Sequence, residues 1–130
     1  MAQQTEAHII TIPGQTISKK NSKRIVIVRN KPMLVSSQAY QNWAHAAVWQ
    51  LKTNEFVGRE WQYPLFVGFH FARYGKGPFD YNNLTQGILD VLIEAGIIKD
   101  DNMNCVIPCG FSWEVDKHNP RCVVAISEAK

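Results

Sequence analysis

Three aspartates bracket one apolar stretch of this chain. Asp80 precedes it and Asp100 and Asp101 follow it, in GPFDYNNLTQGILDVLIEAGIIKDD (77–101). Carboxylates with no histidine or cysteine beside them are hard oxygen donors. They suit Mg²⁺ or Mn²⁺, ions that keep several waters and pair with substrate phosphates. Such an ion activates water and offsets charge on a scissile phosphate, so the chemistry these residues can do is phosphodiester hydrolysis. Plainer readings stand beside it. An aspartate at a helix start is an ordinary N-cap, and DDNMN (100–104) reads equally as a solvated turn.

The stretch between the aspartates sets how they can meet. Roughly twelve helical residues carry the chain about 18 Å away, and the segment from Gly96 to Asp101 returns about 20 Å when extended. Asp80 can then meet Asp100 or Asp101 within one chain, at nearly full extension, or across a dimer. A second chemical feature lies upstream. Residues 19 to 31 carry Lys19, Lys20, Lys23, Arg24, Arg29 and Lys31 with no acid among them, on a chain whose net charge is only +3. Lysine and arginine displace counterions condensed on nucleic acid, so this is a candidate phosphate-facing surface. On charge alone it is also an ordinary solvated hairpin.

The elements that position these residues follow from periodicity. HIITIP (8–13) alternates as a strand and is ended by Pro13-Gly14. RIVIVR (24–29) and PMLVS (32–36) flank Asn30-Lys31 as a hairpin. Ser36 or Ser37 caps a helix over about 37–53, with Tyr40, Trp43, Ala44, Ala47, Val48 and Leu51 on its apolar face. PLFVGFHFAR (64–73) is bulky and apolar enough for a central strand, and His70 on it reads as a packed or satisfied core histidine rather than a catalytic one. Leu84, Ile88, Leu89, Val91, Leu92 and Ala95 give the stripe of a second helix over about 82–95, with Gly96 past its end. GFSWEVD (110–116) and RCVVAISE (121–128) read as a final strand pair joined by a turn at Lys117 to Pro120. The expected fold is α+β, a mixed β-sheet with two helices packed on it.

The central block resembles the RusA family of Holliday junction resolvases, homodimeric endodeoxyribonucleases of prophages and bacteria. The family shares an Asp-x-Asp-Asn-Leu-x-x-Lys segment, an apolar helix ending in Ala-Gly, and a closing Asp-Asp. Here those positions read Asp80-Tyr81-Asn82-Asn83-Leu84-Thr85-Gln86, then ILDVLIEAG (88–96), then Asp100-Asp101. Supporting similarity runs through IPGQTISKKNSK, the basic hairpin and LVSSQAY, covering most of residues 8 to 126 in order.

What the resemblance implies is specific. Asp80 and Asp101 match the first and last catalytic aspartates, both metal ligands, with Asp100 adjacent. Asn83 matches the motif's asparagine and Asn21 the asparagine near the N-terminus. Two positions depart from the pattern. Asn82 stands where the family has its middle aspartate, and Gln86 where it has a lysine. Asn82 still offers a carbonyl oxygen to a metal but none of the charge that holds Mg²⁺. Losing the lysine removes a cation beside the reacting phosphate, for which Lys76 or Lys99 are candidate substitutes. The implied cofactor is Mg²⁺, or Mn²⁺, and the implied partners are branched DNA and a second copy of the chain. A homodimer matches the approximate two-fold symmetry of a four-way junction. Lys19, Lys20, Asn21, Lys23, Arg24, Lys31 and Lys76 are the expected DNA-contacting residues. The alternative is a junction-binding dimer weakened or inactive in catalysis by Asn82 and Gln86.

Bulk properties bound these readings. The length of 130 residues suits one domain, with loose ends at about 1–6 and 128–130. Apolar runs are too short to span a membrane. MAQQTEAHIITIP lacks the basic start and apolar core of a secretory signal, and Cys105, Cys109 and Cys122 are odd in number, so a cytoplasmic protein with reduced thiols is expected. The spacing of Cys105 and Cys109 is a poor match to zinc sites, which would also need His70 or His118. Of the four tryptophans, Trp43 reads as core, while Trp49, Trp61 and Trp113 are candidates to stack on opened bases.

Overall fold

The computed structural model describes residues 6–18 and 23–129. Its elements are β1 (His8–Pro13), β2 (Lys23–Val28), β3 (Lys31–Ser36), α1 (Gln38–Leu51), β4 (Leu65–Arg73), α2 (Tyr81–Glu94), β5 (Val106–Val115) and β6 (Arg121–Glu128). The fold is α+β, with a mixed four-stranded sheet in the order β1-β6-β4-β5, a separate β2-β3 ribbon and two helices.

Local signals place both helices. The Ser37 hydroxyl accepts the Tyr40 N–H at 3.1 Å, so Ser37 is the N-cap of α1. Tyr40, Trp43, Ala47, Val48 and Leu51 are its buried face. On α2, Leu84, Ile88, Leu89, Val91 and Leu92 are buried, and Gly96 takes a φ of +84° just past the helix end. The helices meet closely at Gly87, where an added Cβ would lie 3.3 Å from the Tyr40 ring.

The core lies between these helices and one face of the sheet. Leu65, Val67, Phe69 and Phe71 of β4 are buried there beside Cys122, Val124 and Ile126 of β6 and Ile10 and Ile12 of β1. β4 is interior, as its bulk predicts, paired antiparallel with β6 and parallel with β5. Parallel neighbours need a crossover, and α2 supplies it.

Three expectations are corrected. β5 and β6 are not paired with each other, because β4 lies between them. The Asp116 carboxylate accepts the N–H groups of His118 and Asn119 and a bond from Arg121, and this turn carries the chain across the end of β4. His70 lies on the sheet's other, open face rather than in the core. Its Nδ1 is 2.7 Å from the Ser112 hydroxyl and its Nε2 is 3.6 Å from Glu114. The ribbon turns at Arg29 and Asn30, with φ of 51° and 63°, one residue earlier than expected. Two central residues at positive φ match the strand twist of a two-residue hairpin.

Candidate functional site

The sequence Phe79-Asp80-Tyr81 explains how Asp80 is presented. Phe79 packs against Phe71 and Trp113, with ring centroids 6.0 and 5.8 Å apart, and Tyr81 packs against Phe71 and Phe111 at 6.2 and 5.2 Å. With both neighbours anchored inward, Asp80 is left exposed at the head of α2. It is the N-cap, its Oδ1 accepting the Asn82 N–H at 2.8 Å. The cap takes up Oδ1, which leaves Oδ2 for another partner. Asn82 and Gln86 are exposed and one helical turn apart, so they share a face, while Asn83 is half-buried.

At the other end of α2 the chain is held by main-chain groups. Gly58 N–H donates to the Gly96 carbonyl at 2.9 Å, the Trp61 indole to the Ile97 carbonyl at 2.8 Å, and Lys99 N–H to the Tyr63 hydroxyl at 3.0 Å. Asp100 then accepts the Asp101 N–H at 2.7 Å and the Asn102 side-chain amide at 3.1 Å. Asp100 and Asp101 are both exposed. The loop leads to Cys105, whose carbonyl accepts the Leu65 N–H at 2.8 Å.

These bonds fix the relation between the aspartates. Asp80 stands between Phe79 and Tyr81, whose rings pack on Phe71 in the C-terminal half of β4, whereas Asp100 and Asp101 run into Asn102, whose carbonyl accepts the N–H groups of Cys105 and Val106 beside Leu65 at the start of β4. Between them run the 14 residues of α2, roughly 21 Å of helix. The chain from Gly96 onward spends its length joining β5 rather than returning along α2, so Asp80 and Asp101 do not meet within one chain. Among the described residues, no group of three or more His, Cys, Asp and Glu side chains is placed to hold a metal ion. The oxygen donors suit Mg²⁺ chemically, but one chain holds them at the two ends of α2.

The cationic residues divide similarly. Lys19, Lys20 and Asn21 lie outside the described residues. Lys23 and Arg24 open β2, and exposed Lys31 opens β3 after the turn. Lys76 is exposed in the loop before Asp80. Lys99 is at the far end of α2, its ammonium 4.5 Å from the Tyr63 ring centre, and so is not beside Gln86 of its own chain. Arg73 is committed to structure, donating to the Thr16 carbonyl at 2.6 Å and lying over Phe79, and burial holds its pKa below the ordinary arginine value. Sequence reasoning did not single out the aromatic cluster around Asp80. The signal was available in the rings either side of Asp80 and in the alternate positions Phe111 and Trp113.

No helix among the described residues is long and apolar enough to cross a membrane. No family model matches the chain. Over 62 residues it is 31% identical to the crossover junction endodeoxyribonuclease RusA of Aquifex aeolicus (strain VF5), a stretch that covers 48% of this chain and 48% of that protein. The chain thus matches about half the length of this curated relative.

Proposed function

We propose that the protein is a divalent-metal-dependent endodeoxyribonuclease of the cytoplasm that resolves four-way DNA junctions, acting as a homodimer. The observation that carries this is the partial identity to a RusA resolvase. Support comes from exposed Asp80 and Asp101 at the two ends of α2, with Lys76 in the loop before Asp80. Because the two half-sites are about a helix length apart in one chain, Asp80 and Asn82 of one copy act with Asp101 of a second copy.

In this reading Asp80, the Asn82 carbonyl and Asp101 hold a Mg²⁺ or Mn²⁺ ion. Such an ion, when bound, supplies an activated water and offsets charge on the scissile phosphate. The remaining work falls to the chain. The N-cap bond fixes the Asp80 carboxylate relative to α2, and Phe79 and Tyr81 anchor the loop that carries it. Lys76 neutralises a phosphate beside the site, which Gln86 cannot do. The ribbon residues Lys23, Arg24 and Lys31, with Lys19 and Lys20, contact the backbone, positioning the duplex arms without reading sequence.

The test is nicking of a labelled synthetic four-way junction by the purified protein with Mg²⁺, with Mn²⁺ and with EDTA. Paired, metal-dependent nicks on opposed strands are expected, and linear duplex of the same sequence is left intact. Absence of cutting under either metal rejects the nuclease reading. A second reading, a junction-binding dimer without cleavage, is favoured by one observation: the exposed face at the head of α2 carries neutral Asn82 and Gln86 where the family carries charge. It predicts salt-sensitive junction binding and no nicks.

A further inference from the structure

Beside Asp80 lies a hollow of about 180 Å³ lined by Lys76, Gly77, Pro78, Phe79, Tyr81 and Trp113. It is smaller than the pockets of roughly 300–1,000 Å³ that engulf small molecules, so its occupant is a single planar group or a side chain. Three of its walls are aromatic. Phe79 stands at 82° to both Tyr81 and Trp113, with centroids 5.1 and 5.8 Å away. Trp113 is on β5, an edge strand, paired with Phe71, and it remains 45% exposed. An indole half in water that shares a hollow with a lysine is a poor core residue and a good stacking surface.

We propose that this hollow holds one nucleobase unstacked from the DNA beside the scissile phosphate, with Trp113 as the stacking surface and Lys76 on a flanking phosphate. This rests on the nuclease reading above and adds to it a specificity-determining residue. The linkage to the site is covalent as well as spatial. Phe79 and Tyr81, which wall the hollow, are the residues on either side of Asp80, so a base seated there fixes its own phosphate close to Asp80. A duplex keeps its bases stacked, and removing one costs free energy, whereas a branch point offers bases already weakened in their stacking. The hollow thus gives a physical reason for junction over duplex. A second copy of the chain seated on Trp113 is the competing occupant. Lys76 in the same wall favours the phosphate-bearing one.

The experiment is a cycle between protein and DNA. Junctions carrying a single abasic site, walked across the nucleotides around the branch point, are titrated with the unmodified protein, Trp113→Ala and Trp113→Phe. The proposal expects Trp113→Ala to weaken binding to the intact junction roughly ten- to a hundredfold. At one abasic position the unmodified protein loses a similar factor and the variant loses nothing further. Trp113→Phe retains most of the affinity. Equal losses for Trp113→Ala on intact and all abasic junctions, or no loss at all, overturn the proposal. So does loss of dimer in size-exclusion chromatography of Trp113→Ala, which assigns the ring to a contact between copies. Circular dichroism melting of the variant shows that it is folded. If the unmodified protein shows no preference for branched DNA, the nuclease reading itself fails and takes the hollow's occupant with it. That outcome differs from a failure confined to Trp113.

Discussion

The Asp80 carboxylate and the Asn82 main-chain N–H, 2.8 Å apart, join the cap of α2 to the candidate metal site in one contact. The two roles of Asp80 are separable by substitution. Asparagine caps as well as aspartate, and alanine does not. Asp80→Asn is therefore expected to abolish nicking with little change in stability or junction affinity. Asp80→Ala is expected to abolish nicking and also to cost about 0.5–2 kcal/mol in urea denaturation. Equal destabilisation by both variants would show that charge, not capping geometry, is what α2 needs.

Asn82 is exposed in the first turn of α2, a turn that carries no acid. Asn82→Asp is expected to raise the nicking rate at low Mg²⁺, because it adds a formal charge beside Asp80 without changing shape. A divalent-metal titration of nicking checks this. The midpoint should move to lower concentration. A midpoint that does not move removes Asn82 from the ligand set.

The head of α2 was legible because its signals are local: an aspartate before an apolar stripe, a glycine after it, and a serine before α1. What sequence could not supply was strand order. β5 and β6 look like a hairpin from the turn residues between them, yet the pairing of β4 with both is decided by which strand can be buried on its two edges, a non-local matter. The same gap affected the site. The spacing between Asp80 and Asp101 allows contact within one chain, and only the parallel placement of β5 on β4 shows that the chain is spent before it can return. His70 was misplaced because alternation along β4 does not say which face the helices cover.

Gly87 lets α1 and α2 approach closely, with Tyr40 and Trp43 atoms 3.3 and 3.5 Å from where a Cβ would stand. Leucine is favoured over glycine in a helix interior by under about 1 kcal/mol, but its extra atoms must displace two buried rings. Gly87→Leu is expected to destabilise by about 1–3 kcal/mol. Chemical denaturation measures it, and a neutral result would mean that the helices can slide apart.

The three cysteines are free, Cys105 and Cys122 buried and Cys109 exposed. Burial pushes the Cys122 thiol up to about 12, so it stays protonated and unreactive in the fold. A thiol reagent at pH 8 is expected to label Cys109 rapidly, leaving Cys105 and Cys122 to react only in denaturant. Mass spectrometry of the labelled peptides identifies which has reacted. Rapid labelling of Cys122 would contradict its place in the core.

On the open face, Arg121 bonds Asp116 at 3.0 Å and reaches Glu114 at 3.3 Å. The Arg121 bond, with the His118 and Asn119 N–H groups, holds the Asp116 pKa below the ordinary aspartate value. A depressed carboxylate pKa stabilises the fold above the unfolded value of about 3.9, and that contribution disappears as pH falls through the lower folded value. Arg121→Ala should therefore lower melting temperature near neutral pH, with the gap to the unmodified protein narrowing below about pH 4. A gap independent of pH would assign the effect of Arg121 to packing.

The separation of Asp80 from Asp101 along α2 makes the shared site testable by mixing inactive variants. Asp80→Asn and Asp101→Asn are each expected to be inactive alone. In a mixed dimer of the two, a site built across copies takes Asp80 from the Asp101→Asn subunit and Asp101 from the Asp80→Asn subunit, and is intact. The other site carries both substitutions. Random exchange then makes half the dimers mixed and restores about one quarter of all sites, never two in one dimer. The expected product is a single nick per junction rather than paired cuts, at a fraction of the original rate. A site contained in one chain predicts no activity in any mixture, because every subunit carries a lesion. Subunit exchange is verified beforehand by co-purification of differently tagged copies, so that a silent mixture reports on the site and not on the mixing.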